Sequence, residues 1–249
     1  MVMITTAAII VAAGAFLGGF ISGLAGFGTG LVALGIWLHA VSPAEAATLV
    51  IICSVVAQSQ TIPAIWHAID FRGIWPMLVA GVLGVPLGVS LLHHVDPAAF
   101  RLGTGVLLLM FSATMLIGRT RTKIHWGGRA ADATIGLGGG ILGGLAGLSG
   151  PLPTMWATLR GWSKDQRRGV FQAYNLTVLS VALATHAAEG LITRQVGWLL
   201  VWAVPGTLSG AWLGTHAYRR LSDHHFHQVV LSLLGVSGVV LIWPSVFSK

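Results

Sequence analysis

Eight apolar blocks, with most charges confined to the short stretches between them, limit what this chain can fold into. They run at roughly 3–38, 44–68, 73–94, 98–118, 131–160, 165–190, 195–218 and 224–243. A helix crosses a bilayer with about 20 apolar residues, and most blocks have about that length. Charged residues make up 8% of the 249, and mean hydropathy is +0.82. Soluble domains carry ~25% charged residues, so a water-soluble fold is excluded. The chain reads as an all-α polytopic membrane protein with the lipid bilayer as its solvent. Its formal net charge of +7 does not mark a nucleic-acid partner, because the Lys and Arg residues sit in loops where they orient membrane helices. Met1 to Gly19 has neither a basic start nor a small-residue cleavage site, and reads as a retained helix. Cys53 is the only cysteine, which excludes an intramolecular disulfide. Trp37, Trp66, Trp75, Trp162, Trp198 and Trp243 fall at block ends, as in an interfacial aromatic belt. Trp212 is expected to pack between helices.

The first and fifth blocks are too long and too glycine-rich to be plain helices, and they resemble each other. Gly18–Gly26 (GGFISGLAG) matches Gly139–Gly147 (GGILGGLAG) at an offset of 121. Extended to Ser42 and Ser163, the match holds nine identities in 25 positions. Farther on, Gly84, Gly88 and Phe100 match Gly210, Gly214 and Phe226 at an offset of 126. The same features in the same order predict two homologous halves of about four blocks each. Residues 1–120 form the first repeat, 121–130 a basic cytoplasmic linker and 131–249 the second repeat.

Charge predicts how the halves are related. If every block crosses once, the 14 basic residues split 7 to 7 and give no orientation. If the first and fifth blocks enter and return, one side holds Arg72, the four of 119–129, the four of 160–168, Arg219 and Arg220. The other holds Arg101, Arg194 and Lys249, a bias of 11 to 3. Basic residues concentrate on the cytoplasmic side. The expected architecture is therefore a pair of inverted repeats with broken or re-entrant glycine-rich helices. It holds 8–10 membrane segments in all, with both termini outside the cytoplasm.

The breaks fall at Gly26-Phe27-Gly28-Thr29-Gly30 and Gly147-Leu148-Ser149-Gly150-Pro151. Glycine permits φ > 0, and Pro151 and Pro153 suit the first turn of a new helix. A helix starting at membrane depth turns free N–H groups and a positive dipole end toward the interior, which binds anions without a fixed charge. The same glycines would also serve close helix packing. The second and sixth blocks carry Ser54, Gln58, Ser59, Gln60 and Thr61, and Gln172, Tyr174, Asn175, Thr177 and Ser180. Ser54 and Asn175 correspond at the 121 offset. Buried amides and hydroxyls face the protein interior, where they either donate to a substrate or join helices. The candidate substrate site comprises Phe27, Gly28, Thr29, Gly30, Ser54, Gln58, Leu148, Ser149, Gly150, Gln172 and Asn175.

Glu45, Asp70, Asp96 and Glu189 lie near block ends, so no carboxylate proton relay is evident. His186 reads as an interfacial helix-end residue. His224-His225-Phe226-His227 lacks accompanying ligands at metal spacing and reads as a solvated helix start. Nothing points to a cofactor, a metal or catalytic residues, and a homodimer is left open.

In GFISGLAGFGTG (19–30), GGLAGLSGP (143–151), the Ser42 and Ser163 turns and the Gly-x3-Gly helices at Gly84–Gly88 and Gly206, Gly210 and Gly214, the chain resembles the sulfite exporter TauE/SafE family. The resemblance covers nearly the whole chain in order. It implies a non-enzymatic, multi-pass inner-membrane transporter that exports sulfite, an organosulfonate or a related small sulfur oxyanion. Family members commonly show a glycine triplet followed by Val-Pro. Here the first copy has no proline and the second reads Ser149-Gly150-Pro151, a departure that bears on the substrate. Another small anion, such as a carboxylate, fits the same cavity. A rival comes from a different class. Gly147-Leu148-Ser149-Gly150 fits the GxSG of rhomboid intramembrane proteases, with His186 as a candidate base.

Overall fold

In a computed structural model, residues 2–61, 71–117, 127–162, 164–218 and 239 are described, and their ordered elements are all helical. Nine helices follow among them: α1 (Val2–Ala25), α2 (Thr29–Trp37), α3 (Pro43–Thr61), α4 (Phe71–Leu92), α5 (Pro97–Ile117), α6 (Gly128–Ala146), α7 (Pro151–Leu159), α8 (Lys164–Ala188) and α9 (Arg194–Tyr218). Nearly all of the eighth block, the histidine tract, Trp66, Trp243 and most of the 121–130 linker lie outside the described residues. Thr6–Ala25, Pro43–Thr61, Gly73–Leu92 and Arg194–Ala217 are long and apolar enough to cross a membrane. The nine helices among the described residues fall within the 8–10 helical segments expected, and four of them have the length and hydropathy of a full span. α6 is rich in glycine and α8 carries Gln172, Tyr174 and Asn175, which lowers their hydropathy without removing them from the bundle.

Local chemistry sets the helix starts. Ser42 and Glu45 form a reciprocal capping box ahead of α3, with Ser42 N–H donating to Glu45 Oε2 at 2.9 Å and Glu45 N–H to Ser42 Oγ at 3.4 Å. Asp96 Oδ1 accepts from the N–H groups of Ala98 and Ala99 at 2.8 and 3.0 Å and starts α5. Gly26 and Gly147, equivalent at the 121 offset, take φ of 80° and 69° and end α1 and α6.

Both glycine-rich blocks double back. Gly18 of α1 lies on Thr29 and Ala33 of α2, and Gly14 on the Trp37 indole, so α2 runs antiparallel to α1. Likewise Gly143 of α6 lies on Ser149, Gly139 on Pro153, and Asp132 pairs with Trp156 of α7. α2 and α7 have nine residues each. At 1.5 Å per residue each is about 13.5 Å long, near half of the ~30 Å hydrocarbon core. Val50, partway along α3, lies against both Gly30 and Gly147, so both breaks sit at the same depth.

A tryptophan holds the far end of each return helix. Trp37 Nε1 donates to the Val11 carbonyl at 3.0 Å, and Trp156 Nε1 to Asp132 Oδ1 at 2.7 Å. Val11 and Asp132 are equivalent at the 121 offset. Trp37 is fully buried and is no interfacial anchor, whereas Trp75 and Trp198 are exposed as expected of a belt. Trp212, expected between helices, is 54% exposed, with its ring against His216 at 4.3 Å. It shares the outward side of α9 with Val201, Leu208 and Leu213, and α4 likewise turns Val79, Leu83, Leu87 and Leu91 outward. Such apolar faces suit lipid.

Two parallel helix pairs meet along glycine seams. On α1 and α9, Gly19 lies on Thr207, Gly23 on Ala211, Gly210 on Phe16 and Gly214 on Phe20. On α6 and α4, Gly140 lies on Gly81, Gly144 on Val85, Gly84 on Leu137 and Gly88 on Ile141. Moving the α1 residues forward by 121 and the α9 residues back by 126 turns the first set into the second. α3 reverses α2 across the turn at Leu38–Ser42 and so runs with α1. It is antiparallel to α8, with Thr48 by His186 and Thr61 by Gln172. α8 runs with α6, placing Tyr174 by Gly139 and Val178 by Gly143. α1, α3 and α9 therefore point one way, and α4, α6 and α8 the other.

Candidate functional site

The two breaks face each other. Gly30 lies against Leu148 and the Gly147 carbonyl, and Gly150 against Phe27 and the Asn175 amide. Between them is a cavity of about 20 Å³, room for about one water molecule. Its walls are Phe27, Gly28, Gly30 and Leu31 of the first break, Gly147, Leu148, Ser149, Gly150 and Pro151 of the second, Ser54 and Gln58 of α3, and Asn175 and Leu179 of α8. Gln58 follows Ser54 by four residues and Leu179 follows Asn175 by four, so each pair projects from one helix face.

Nine of the eleven candidate residues therefore line one cavity: Phe27, Gly28, Gly30, Ser54, Gln58, Leu148, Ser149, Gly150 and Asn175. Thr29 and Gln172 do not. Thr29 is buried against Gly18 of α1, and its hydroxyl has no partner among the described residues. Gln172 is fully buried beside Gly26 and donates from Nε2 to Thr61 Oγ1 at 3.3 Å. Other members of the polar clusters join helices or leave the interior. Tyr174 OH donates to the Gly136 carbonyl at 2.6 Å, while Ser59, Gln60, Thr177 and Ser180 are exposed.

Neutral dipoles line the cavity. Ser149 Oγ donates to Asn175 Oδ1 at 2.7 Å, which leaves the Asn175 Nδ2 hydrogens for other acceptors. The start of α2 directs its unpaired N–H groups toward the break. The second break offers fewer. Leu148 N–H is spent on the Leu142 carbonyl at 3.1 Å, and Pro151 and Pro153 have no N–H. Its N–H donors are thus Ser149, Gly150 and Leu152, and Leu148 contributes its side chain alone. Phe27 closes one flank, edge-on to Phe111 and Phe171 at centroid distances of 6.3 and 5.7 Å.

Across 10–241 the sequence matches the family model described as sulfite exporter TauE/SafE. The chain belongs to the sulfite exporter TauE/SafE family. That is a family of membrane transporters rather than enzymes, and it brings a small anionic substrate and a bilayer with it. No curated protein and no solved structure matches the chain.

Membership in the TauE/SafE family agrees with the geometry around Ser149, which gives the protease rival no support. The Ser149 hydroxyl engages Asn175, not a histidine. His186, expected at an interface, is fully buried, with Nε2 on the Gly144 carbonyl at 2.9 Å and Nδ1 on Thr48 Oγ1 at 3.0 Å. Both ring nitrogens are occupied, and the histidine joins α3, α6 and α8. Sequence reasoning also missed Asp132, a buried carboxylate near the start of α6 that accepts from Trp156. The signal was present, because Asp132 stands where the first copy has Val11. The carboxylate receives an indole N–H where the first copy uses a backbone carbonyl.

Proposed function

We propose that this chain exports a small sulfur oxyanion, sulfite or a sulfonate, across the inner membrane through the cavity between its two breaks. One observation carries the reading: the cavity is lined by pairs of residues that correspond at the 121 offset. Phe27 pairs with Leu148, Gly28 with Ser149, Gly30 with Pro151, Ser54 with Asn175 and Gln58 with Leu179. A site on the axis relating two repeats is where rocking of one repeat against the other exposes a substrate alternately to each side. The reciprocal glycine seams and opposed directions of α1 and α6 support inverted repeats at 1–120 and 131–249, joined through 121–130. In the mechanism, N–H groups of Gly28–Leu31 and Ser149–Gly150, with Ser54, Gln58 and Asn175, replace the hydration shell of the anion. Thr29 and Gln172 hold the breaks from behind. Outward movement from a negative-inside cell gains ~2.3 kcal/mol per charge per 100 mV.

Flux of sulfite and sulfonates into proteoliposomes under imposed potentials tests the substrate. Saturable flux that changes with the sign of the potential is expected. Folded protein that moves neither anion would remove this substrate class. Ser149→Ala, which loses one neutral hydrogen bond worth ~1 kcal/mol, is expected to keep at least about a tenth of wild-type flux. Complete loss would make the hydroxyl a reacting group and reopen hydrolytic chemistry.

Orientation has its own test. The charge bias puts exposed Arg129 on the cytoplasmic side. Cys53 is fully buried, so Arg129→Cys should supply the reactive thiol. An impermeant maleimide is expected to label this variant in inverted vesicles and not in intact cells. The reverse pattern would invert the topology.

A further inference from the structure

We infer that the cavity takes its substrate as a monoanion carrying its own O–H, hydrogen sulfite rather than the sulfite dianion. This rests on the transport reading above. The first argument is charge. No side chain lining the cavity ionises, so the countercharge comes from dipoles alone. α2 and α7 each present an N-terminus to the cavity, and a helix N-terminus carries roughly +0.5 of an elementary charge. α1 and α6 end at the same two breaks and bring their negative ends there, so the net countercharge does not exceed about one. A second negative charge would have no counterpart in a site walled by Phe27, Leu31, Leu148 and Leu179.

The second argument is an acceptor in want of a donor. Gln58 lines the cavity and is 2% exposed, and its Oε1 has no hydrogen-bond partner among the described residues. A buried amide oxygen without a donor is costly, and facing a bare anion it would repel. An anion with one O–H resolves both problems. Its charged oxygens take the N–H groups and the Asn175 Nδ2 hydrogens, and its hydroxyl donates to Gln58 Oε1. The duplication sharpens this, since the position equivalent to Gln58 is Leu179. Only one flank of the cavity offers the acceptor, which suits a ligand with a single O–H.

The pH dependence of flux should then follow the substrate. α1, α2 and α7 carry no titratable side chain. On the other helices around the cavity, α3 carries Glu45 and Cys53, α6 carries Arg129 and Asp132, and α8 carries the charges of 164–168 with Tyr174 and His186. Among the described residues, none of these groups lines the cavity. His93 and Glu189 pair at 3.7 Å beyond the ends of α4 and α8.

The test uses full-length protein in proteoliposomes held at equal pH on both faces, with sulfite and methanesulfonate as probes. Methanesulfonate is a monoanion without an O–H at every pH used, so it reports titration of the protein. At fixed total sulfite below saturation, flux is expected to fall about tenfold per pH unit once the dianion dominates. Methanesulfonate flux should stay level, and reversal potentials should give one charge per sulfur. Gln58→Met, which keeps length and removes the amide, should lower the preference for sulfite over methanesulfonate at least tenfold. Sulfite flux that rises with the dianion, two charges per sulfur, or an unchanged preference in Gln58→Met would each overturn the inference while leaving the transporter intact. If neither anion crosses in folded protein, the transport reading falls and this inference with it.

Discussion

Asn175→Asp is expected to cut anion transport about 1,000-fold at a pH where the new carboxylate is ionised. The substitution changes almost no volume. It replaces the Nδ2 hydrogens facing the cavity with a charged oxygen, beside Ser149 Oγ at 2.7 Å and Gly150. Two like charges 4 Å apart at an effective dielectric of ~20 repel by ~4 kcal/mol, or about three powers of ten in affinity. Asn175→Leu separates charge from donor loss. It removes the amide without adding charge and costs about one charge-assisted hydrogen bond, ~2 kcal/mol or roughly 30-fold. The expected order of flux is wild type, then the Leu variant, then the Asp variant. Uptake in proteoliposomes and thermal stability in detergent should be measured on all three. Equal flux in the Asp and Leu variants would mean that no anion approaches position 175, and the cavity would lose its assignment.

The second large effect belongs to the seams. Gly140→Val should destabilise the protein by at least ~3 kcal/mol, at or beyond the top of the usual range for overpacking. A Cβ at Gly140 would meet the Gly81 carbonyl, and backbone leaves no rotamer by which to yield. Gly19→Val, the equivalent in α1 facing Thr207, should be affected alike. Gly103→Val on α5 is the control, because nothing lies within 4 Å of that position. It should stay within ~0.5 kcal/mol of wild type. Melting in detergent decides the matter, and a Gly140→Val protein as stable as Gly103→Val would refute the backbone contact.

The doubling back of the first block was legible because the run ending at Gly26 recurs as the run ending at Gly147, with Pro151 behind it, and because only a returning block gives the basic residues one preferred side. The lining was legible for a related reason. In lipid, polar residues on apolar helices tend to find protein, which holds for Ser54, Gln58 and Asn175 and fails for Ser59, Gln60, Thr177 and Ser180, all exposed. What the inward residues would meet was not legible. Tyr174 and Asn175 are neighbours in sequence and equally buried, yet one joins α8 to α6 and the other lines the cavity. A rotation of about 100° along the helix separates those fates. His186 and Trp37 were misplaced because a polar residue near a block end has the same local pattern whether the next helix covers it or not.

Sequence alone therefore determined the solvent, the helical class, the two breaks and the two helices that carry the polar lining. Each follows from local composition and from backbone groups that hydrocarbon leaves unsatisfied. Tertiary structure decided which inward residues share a wall. It joined Gly30 to Leu148 and Ser149 to Asn175, left Thr29 and Gln172 behind the wall, and closed the Ser149–His186 route. Those outcomes depend on how α1 lies along α9 and α4 along α6, a close approach that glycine permits and that only the packed backbone fixes in register.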